Sequence, residues 1–204
     1  MLALARRLTD AQENVRQGRW AQPMGRALFR KTACIVGLGD LGLALATRLQ
    51  AFEMKITAIR RDPGKGAPAY VRLVTNPGGA DFVILCARPN ADNVHMVNRA
   101  WLAVMRKGAI LINVARGSLV DEQALGEALA SGHLGGAGLD VFDQEPANPA
   151  SPLFHQPRVI ATPHIAGVTD VNLHRSSECL AQNLQRYQRG QQPRFLVNQP
   201  LHPR

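Results

Sequence analysis

The chain has 204 residues, 46% of them apolar, and no uninterrupted apolar run approaches the length of about eighteen residues that a membrane-crossing helix needs. Its formal charge of +9 comes from 24 basic and 15 acidic residues that are scattered rather than blocked, and aromatics are only 5%, so neither a stacking platform nor a nucleic-acid module stands out. Cys34, Cys86 and Cys179 lie far apart, which excludes a disulfide scaffold, and there is no close Cys/His cluster for zinc.

The length suits one domain with a sizeable core. The start, Met1-Leu2-Ala3-Leu4-Ala5-Arg6-Arg7, places charges where a signal peptide would continue apolar, and the chain reads as cytoplasmic. Residues 1–17 predict one helix, because Leu4, Leu8, Ala11 and Val15 recur at three- and four-residue spacing. Gly18 and Pro23 break it, and such a helix needs something to pack against.

From residue 33 the pattern alternates strand and helix. Strands are expected at 33–36, 55–59, within 80–87, and at 109–113, 136–141 and 158–161. Helices are expected at 40–52, 93–105, 121–131 and 168–189, with Gly132 and Gly190 as stops. Between residues 61 and 80 a full crossover helix does not fit, and one short strand with loops is expected around Tyr70 to Thr75. Near-continuous apolar strands between helices predict an α/β fold, a Rossmann-like doubly wound parallel sheet.

Gly37-Leu38-Gly39-Asp40-Leu41-Gly42 follows the first strand and opens a helix. Gly37 permits the tight turn, Gly39 lets backbone approach a pyrophosphate, and Gly42 permits close helix–strand packing. The helix N-terminus then faces the phosphates. At the end of the second strand, where an NAD site places an acid, the chain has Arg60-Arg61-Asp62. Two guanidinium groups suit a 2′-phosphate and favour NADPH, while the nearness of Asp62 keeps NAD open.

Three polar residues end successive strands. Arg116, in Asn113-Val114-Ala115-Arg116-Gly117, is placed to grip a 2-oxo acid carboxylate, with a surface ion pair as the alternative. His164, in Thr162-Pro163-His164-Ile165-Ala166-Gly167, is the candidate acid/base, and Gly167 leaves space beyond it. Glu145 precedes Pro146 and is the candidate carboxylate partner that orients the imidazole. His133, His155, His174 and His202 are poorer candidates, and His95, in or near a helix, receives no role.

Residues 20–175 resemble the cofactor-binding domain of the D-isomer-specific 2-hydroxyacid dehydrogenase family, which includes glyoxylate/hydroxypyruvate reductases. The stretches 31–42, 105–125, 135–146 and 162–167 carry the resemblance. It implies hydride transfer between NAD(P)H and a 2-oxo acid or D-2-hydroxy acid, without metal. It further implies Arg116 as the substrate arginine, Glu145 as the histidine's partner, and His164 as acid/base. Asp140 would lie near the nicotinamide carboxamide, with Val114, Ala115 and the backbone near Ala87 on the nicotinamide side. Gly37, Gly39, Asp40, Leu41 and Gly42 would form the dinucleotide turn. The family suggests a homodimer, with residues 1–17 resembling a helix in that contact.

The expected organisation is therefore a helix and linker at 1–22, a dinucleotide-binding domain at 23–190, and a tail at 191–204. The tail's Phe195 to Pro200 stretch resembles the return into a substrate lobe whose N-terminal part is absent from this chain, so a truncated enzyme with weak or no activity alone is expected. Arg88-Pro89 departs from the usual Pro-Leu order near the cofactor. The competing readings are a non-catalytic nucleotide-binding or interaction module, and a regulatory protein like the corepressors related to this fold.

Overall fold

Strand residues here alternate between two buried faces, and that alternation builds the molecule. The computed structural model describes residues 1–196. Seven strands, β1 Thr32–Val36, β2 Lys55–Ile59, β3 Val71–Leu73, β4 Phe82–Leu85, β5 Ile110–Asn113, β6 Gly136–Leu139 and β7 Val159–Ala161, form one sheet in the order β3-β2-β1-β4-β5-β6-β7. Every pairing is parallel. The order reverses between β1 and β4, where α/β sheets open a crevice beyond their carboxyl ends.

Cys34, Val36, Val83, Leu85 and Leu111 point to one core, and Ala33, Ile35, Phe82, Ile84, Ile110 and Ile112 to the other. A sheet buried on both faces needs apolar side chains at every position, which is why the strands read as continuous apolar runs. Helix α3, Asp40–Ala51, covers the second face through Ala46 and Leu49. Helices α4, Arg99–Val104, and α5, Glu122–Ala130, cover the first through Leu102, Ala124, Leu125 and Leu129. Each such fully buried Leu contributes about 1.5–3 kcal/mol. The 61–80 stretch holds a 3-10 turn at Pro63–Lys65 and β3, and no α-helix crosses there.

Two expectations are corrected. The single helix over 1–17 is two: α1, Leu2–Ala5, and α2, Leu8–Arg16, separated by Arg7 at φ 51°. Ala5 is buried in the sheet core and its carbonyl accepts the Arg26 N–H at 2.7 Å, so the chain turns there. Leu8 and Val15 stay exposed. The expected helix over 93–105 begins only at Arg99, behind an Asn98 side chain that accepts the Trp101 N–H. Before it, Val97 leaves the helical path to form a parallel bridge with Val120. His95 accordingly lies in no helix.

The chain divides into two units, Met1–Pro163 and His164–Arg204. The sheet and helices α1 to α5 belong to the first. In the second, α6, Asp170–Gln188, starts behind a Thr169 side chain that accepts the Asn172 N–H at 3.1 Å. It is followed by Gly190 at φ 67°. Its Val171, Leu180, Leu184 and Tyr187 are exposed. Asn183 Oδ1 accepts the Arg194 N–H at 2.8 Å and ties down the start of the tail. Val197 to Pro200 of the expected return segment, and His202, lie outside the described residues.

Candidate functional site

The glycine turn is built by backbone contact. Gly37 sits at φ 98°, donates its N–H to the Ile59 carbonyl at 2.9 Å, and a Cβ there would lie 2.6 Å from the Ala87 Cα. A Cβ on Gly42 would lie 2.2 Å from the Gly37 carbonyl oxygen. Only glycine permits either approach. Gly39 differs: no atom lies within 4 Å of the position its Cβ would take, so the space over the turn is open. Asp40 and Leu41 open α3 beside it, and both are exposed. An open glycine at the N-terminus of a 12-residue helix fits a pyrophosphate.

At the end of β2, Arg60 is half-buried and donates from its guanidinium to the Gly66 carbonyl at 2.6 Å, while Arg61 is exposed. Asp62 instead turns onto its own loop, its carboxylate accepting the Gly64 N–H at 3.1 Å. The acid is thus engaged with backbone, and the cations occupy the strand end.

The loop after β5 is organised by Asn113, whose role the sequence reading missed. Asn113 is buried; its Nδ2 donates to the Arg116 carbonyl at 2.9 Å and its Oδ1 accepts the Ala115 N–H at 3.1 Å. An Asn closing an apolar strand just ahead of a polar turn was the available signal, since such side chains replace ladder bonds with local ones. Val114 packs toward one core and Ala115 toward the other. The exposed Arg116 guanidinium rests on the Ala115 carbonyl at 2.7 Å. Gly117 brings this loop onto the next one: a Cβ there would lie 1.8 Å from the Phe142 carbonyl carbon.

The loop after β6 carries Asp140 and Glu145. Asp140 is buried, donates its N–H to the Asn113 carbonyl at 3.0 Å, and accepts the Thr162 hydroxyl at 2.5 Å. Glu145 Oε1 accepts the Phe142 N–H at 3.0 Å. Arg116 and Glu145 therefore stand on loops packed backbone against backbone, both at the carboxyl end of the sheet. His164 and Gly167 belong to the second unit. His164 has φ 54°, Ile165 accepts the Val168 N–H at 2.9 Å, and Asn172 Nδ2 donates to the Gly167 carbonyl at 2.6 Å, so the segment is a tight turn into α6.

Of the poorer histidines, His133 Nε2 lies 3.0 Å from the Leu102 carbonyl and His174 Nε2 lies 3.2 Å from Glu178. Burial pushes the Cys86 thiol up to about 11, and burial also raises Cys34 against a smaller opposing hydrogen bond with Thr57. Neither is a ready thiolate nucleophile. Among the described residues no group of His, Cys, Asp and Glu could hold a metal ion, and no helix is long and apolar enough to cross a membrane.

A parallel sheet in this order, with a glycine turn opening a helix at its switch point, defines a dinucleotide-binding α/β domain. The chain belongs to the D-isomer specific 2-hydroxyacid dehydrogenase family, whose NAD binding domain matches residues 1–166. It is 38% identical over 212 residues to the glyoxylate reductase of Korarchaeum cryptofilum, covering 98% of this chain and 64% of that one. It is similar to the crystal structure of TT0316 protein from Thermus thermophilus, with TM-score 0.89 and 36% identity over 97% of this chain and 65% of the other. It is also similar to the D-isomer specific 2-hydroxyacid dehydrogenase from Xanthobacter autotrophicus Py2 in complex with NADPH and MES, with TM-score 0.81, 32% identity, and coverage of 97% of this chain and 83% of that one. The chain thus spans 64% of the length of the Korarchaeum relative.

Proposed function

We propose that this chain carries the cofactor-binding half of an NAD(P)-dependent 2-oxo acid reductase, interconverting a 2-oxo acid and a D-2-hydroxy acid. The observation that carries the reading is the packing of the Arg116 loop on the Glu145 loop, beside a glycine turn with open space above Gly39. Gly37, Gly39, Asp40, Leu41 and Gly42 hold the pyrophosphate. Val114, Ala115 and the backbone at Ala87 line the nicotinamide side, with Asp140 near the carboxamide, and Gly167 is a further cofactor-binding candidate that the family motif implies. The bound dinucleotide supplies the hydride. Arg116 leaves the Ala115 carbonyl to take the substrate carboxylate in a two-point grip, which aligns the neighbouring carbonyl. His164 gives that carbonyl oxygen its proton, and Glu145 is its carboxylate partner, as the family motif implies.

NADPH is the preferred cofactor, supported by Arg60 and Arg61 at the end of β2 and by the local engagement of Asp62. The exposed Leu8 and Val15 support a homodimer through the N-terminal segment, and three free cysteines support a cytoplasmic location. A second reading is a nucleotide-binding module without catalysis, in which the Arg116 guanidinium keeps its bond to the Ala115 carbonyl.

Titration with NADPH and NADH, then addition of glyoxylate or hydroxypyruvate, separates these readings. Oxidation of the bound cofactor supports the reductase. Binding without oxidation supports the module, and no binding of either dinucleotide defeats both. Arg60→Ala is expected to lower the NADPH-over-NADH affinity ratio by roughly tenfold or more, the worth of one charge-assisted hydrogen bond.

A further inference from the structure

Three loops leaving the carboxyl end of the sheet are joined at His95. The segment after β4 passes through a 3-10 turn, Ala91–Asn93, in which the Asn93 Oδ1 accepts the Asn90 N–H at 2.7 Å and the Asn90 Oδ1 accepts the Asp92 N–H at 2.9 Å. It then lies along the loop after β5. His95 N–H donates to the Ser118 carbonyl at 2.7 Å, Val97 N–H to the Leu119 carbonyl at 2.9 Å, and Asp121 N–H to the Val97 carbonyl at 3.1 Å. The His95 ring reaches the third loop, with Nε2 at 3.3 Å from Asp143 Oδ2. Asp143 is anchored in turn, its N–H donating to Glu122 Oε1 at 2.8 Å.

His95 adopts φ 49°, a left-handed conformation that a non-glycine residue keeps only where surrounding contacts hold it. Its side chain and that of Asp143 are 46% and 48% exposed, so the contact alone adds little stability. The contact therefore matters for where it lies. Ser118 is two residues past Arg116, and Asp143 is two residues before Glu145.

We propose that His95 and Asp143 are a positioning pair that locks the loop carrying Arg116 to the loop carrying Glu145, so that the substrate carboxylate meets a guanidinium held in register. Neither residue touches the reacting atoms. The inference rests on the reductase reading above and deepens it.

The test compares His95→Ala, His95→Asn and Asp143→Asn with the parent chain. Asparagine tolerates the left-handed backbone and retains a side-chain N–H donor group. His95→Ala and Asp143→Asn are expected to raise KM for hydroxypyruvate about fivefold, with NADPH affinity held within about twofold and the melting temperature within roughly 2 °C. His95→Asn is expected to recover part of the loss. Unchanged KM in His95→Ala overturns the proposal, as does a joint loss of NADPH affinity and melting temperature, which marks a merely structural contact. A parent chain that binds NADPH and reduces no 2-oxo acid favours the non-catalytic module and leaves no KM to compare. The pair is then judged by hydrogen exchange at the Val97 and Asp121 amides: faster exchange in Asp143→Asn supports the lock, and unchanged exchange overturns it.

Discussion

The two ends of the sheet are built in opposite ways. At the carboxyl end, backbone meets backbone: Gly37 against Ala87, Gly42 against Gly37, Gly117 against Phe142. Polar side chains there turn inward to hold loops, as Asn113, Asp140 and Glu145 do. At the amino end, α1 packs on the sheet through Ala5, while α2 and the segment after it border a cavity of about 900 Å³, lined by Arg7, Asp10, Arg16, Arg26 and Arg158 among others. Ala5 and two bonds from Arg26, one from its N–H to the Ala5 carbonyl and one from its guanidinium to the Gly108 carbonyl at 2.6 Å, fasten that segment. The difference teaches where precision is needed. Close-packed backbone cannot shift by a few tenths of an ångström without cost, and a misplacement of about 1 Å can cost roughly a hundredfold in rate. A charged cavity tolerates such shifts.

The contrast can be broken most severely at Gly117. Gly117→Ala drives a methyl group into the Phe142 backbone and is expected to cost about 3 kcal/mol or more, lowering the melting temperature by roughly 6–12 °C. A melting curve like that of the parent would show that the two loops do not touch.

Asn113→Asp is next. It is isosteric, yet it replaces the donor facing the Arg116 carbonyl with an acceptor, in a site that is 1% exposed. A loss of about 1–3 kcal/mol is expected in denaturant unfolding. Binding of a 2-oxo acid analogue should weaken more than binding of NADPH; equal weakening would mean that Asn113 supports the fold and not the arginine.

A smaller effect sits beneath the same end. The folded Cys86 thiol is raised from 9.0 to about 11, so the folded state holds a proton that the unfolded state releases first. This group's contribution is full below its unfolded value and falls as pH rises from 9.0 to about 11. Cys86→Ala should flatten that alkaline decline, while Cys34 retains part of it. Urea midpoints at about pH 8 and about pH 10.5 check this, and a decline as steep as the parent's would remove Cys86 as a source.

The smallest effect is expected at the loose end. Leu8 is 53% exposed, and Leu8→Ser should change the stability of a lone chain by no more than about 0.5 kcal/mol. A larger loss that depends on protein concentration would place a second copy over that face.

The strands, the glycine turn and the lack of a helix between residues 61 and 80 were legible because each is written locally. A strand buried on both faces must be apolar throughout, a tight turn against another backbone admits only glycine, and a short segment cannot hold a crossover helix. The corrected elements share one cause: a distant contact outweighed a local preference. Residues 1–17 carry helical spacing, but burial of Ala5 and the Arg26 bond to its carbonyl turn the chain at Arg7. The helix expected over 93–105 begins only at Arg99, because Val97 gains ladder bonds with the loop around Val120. Of the candidate site, the chain itself named Arg116, Glu145, His164 and the turn at Gly37. Only the tertiary structure supplied the buried clip of Asn113 and the contact of His95 with Asp143, since hydrogen bonds between loops far apart in sequence leave no periodic trace.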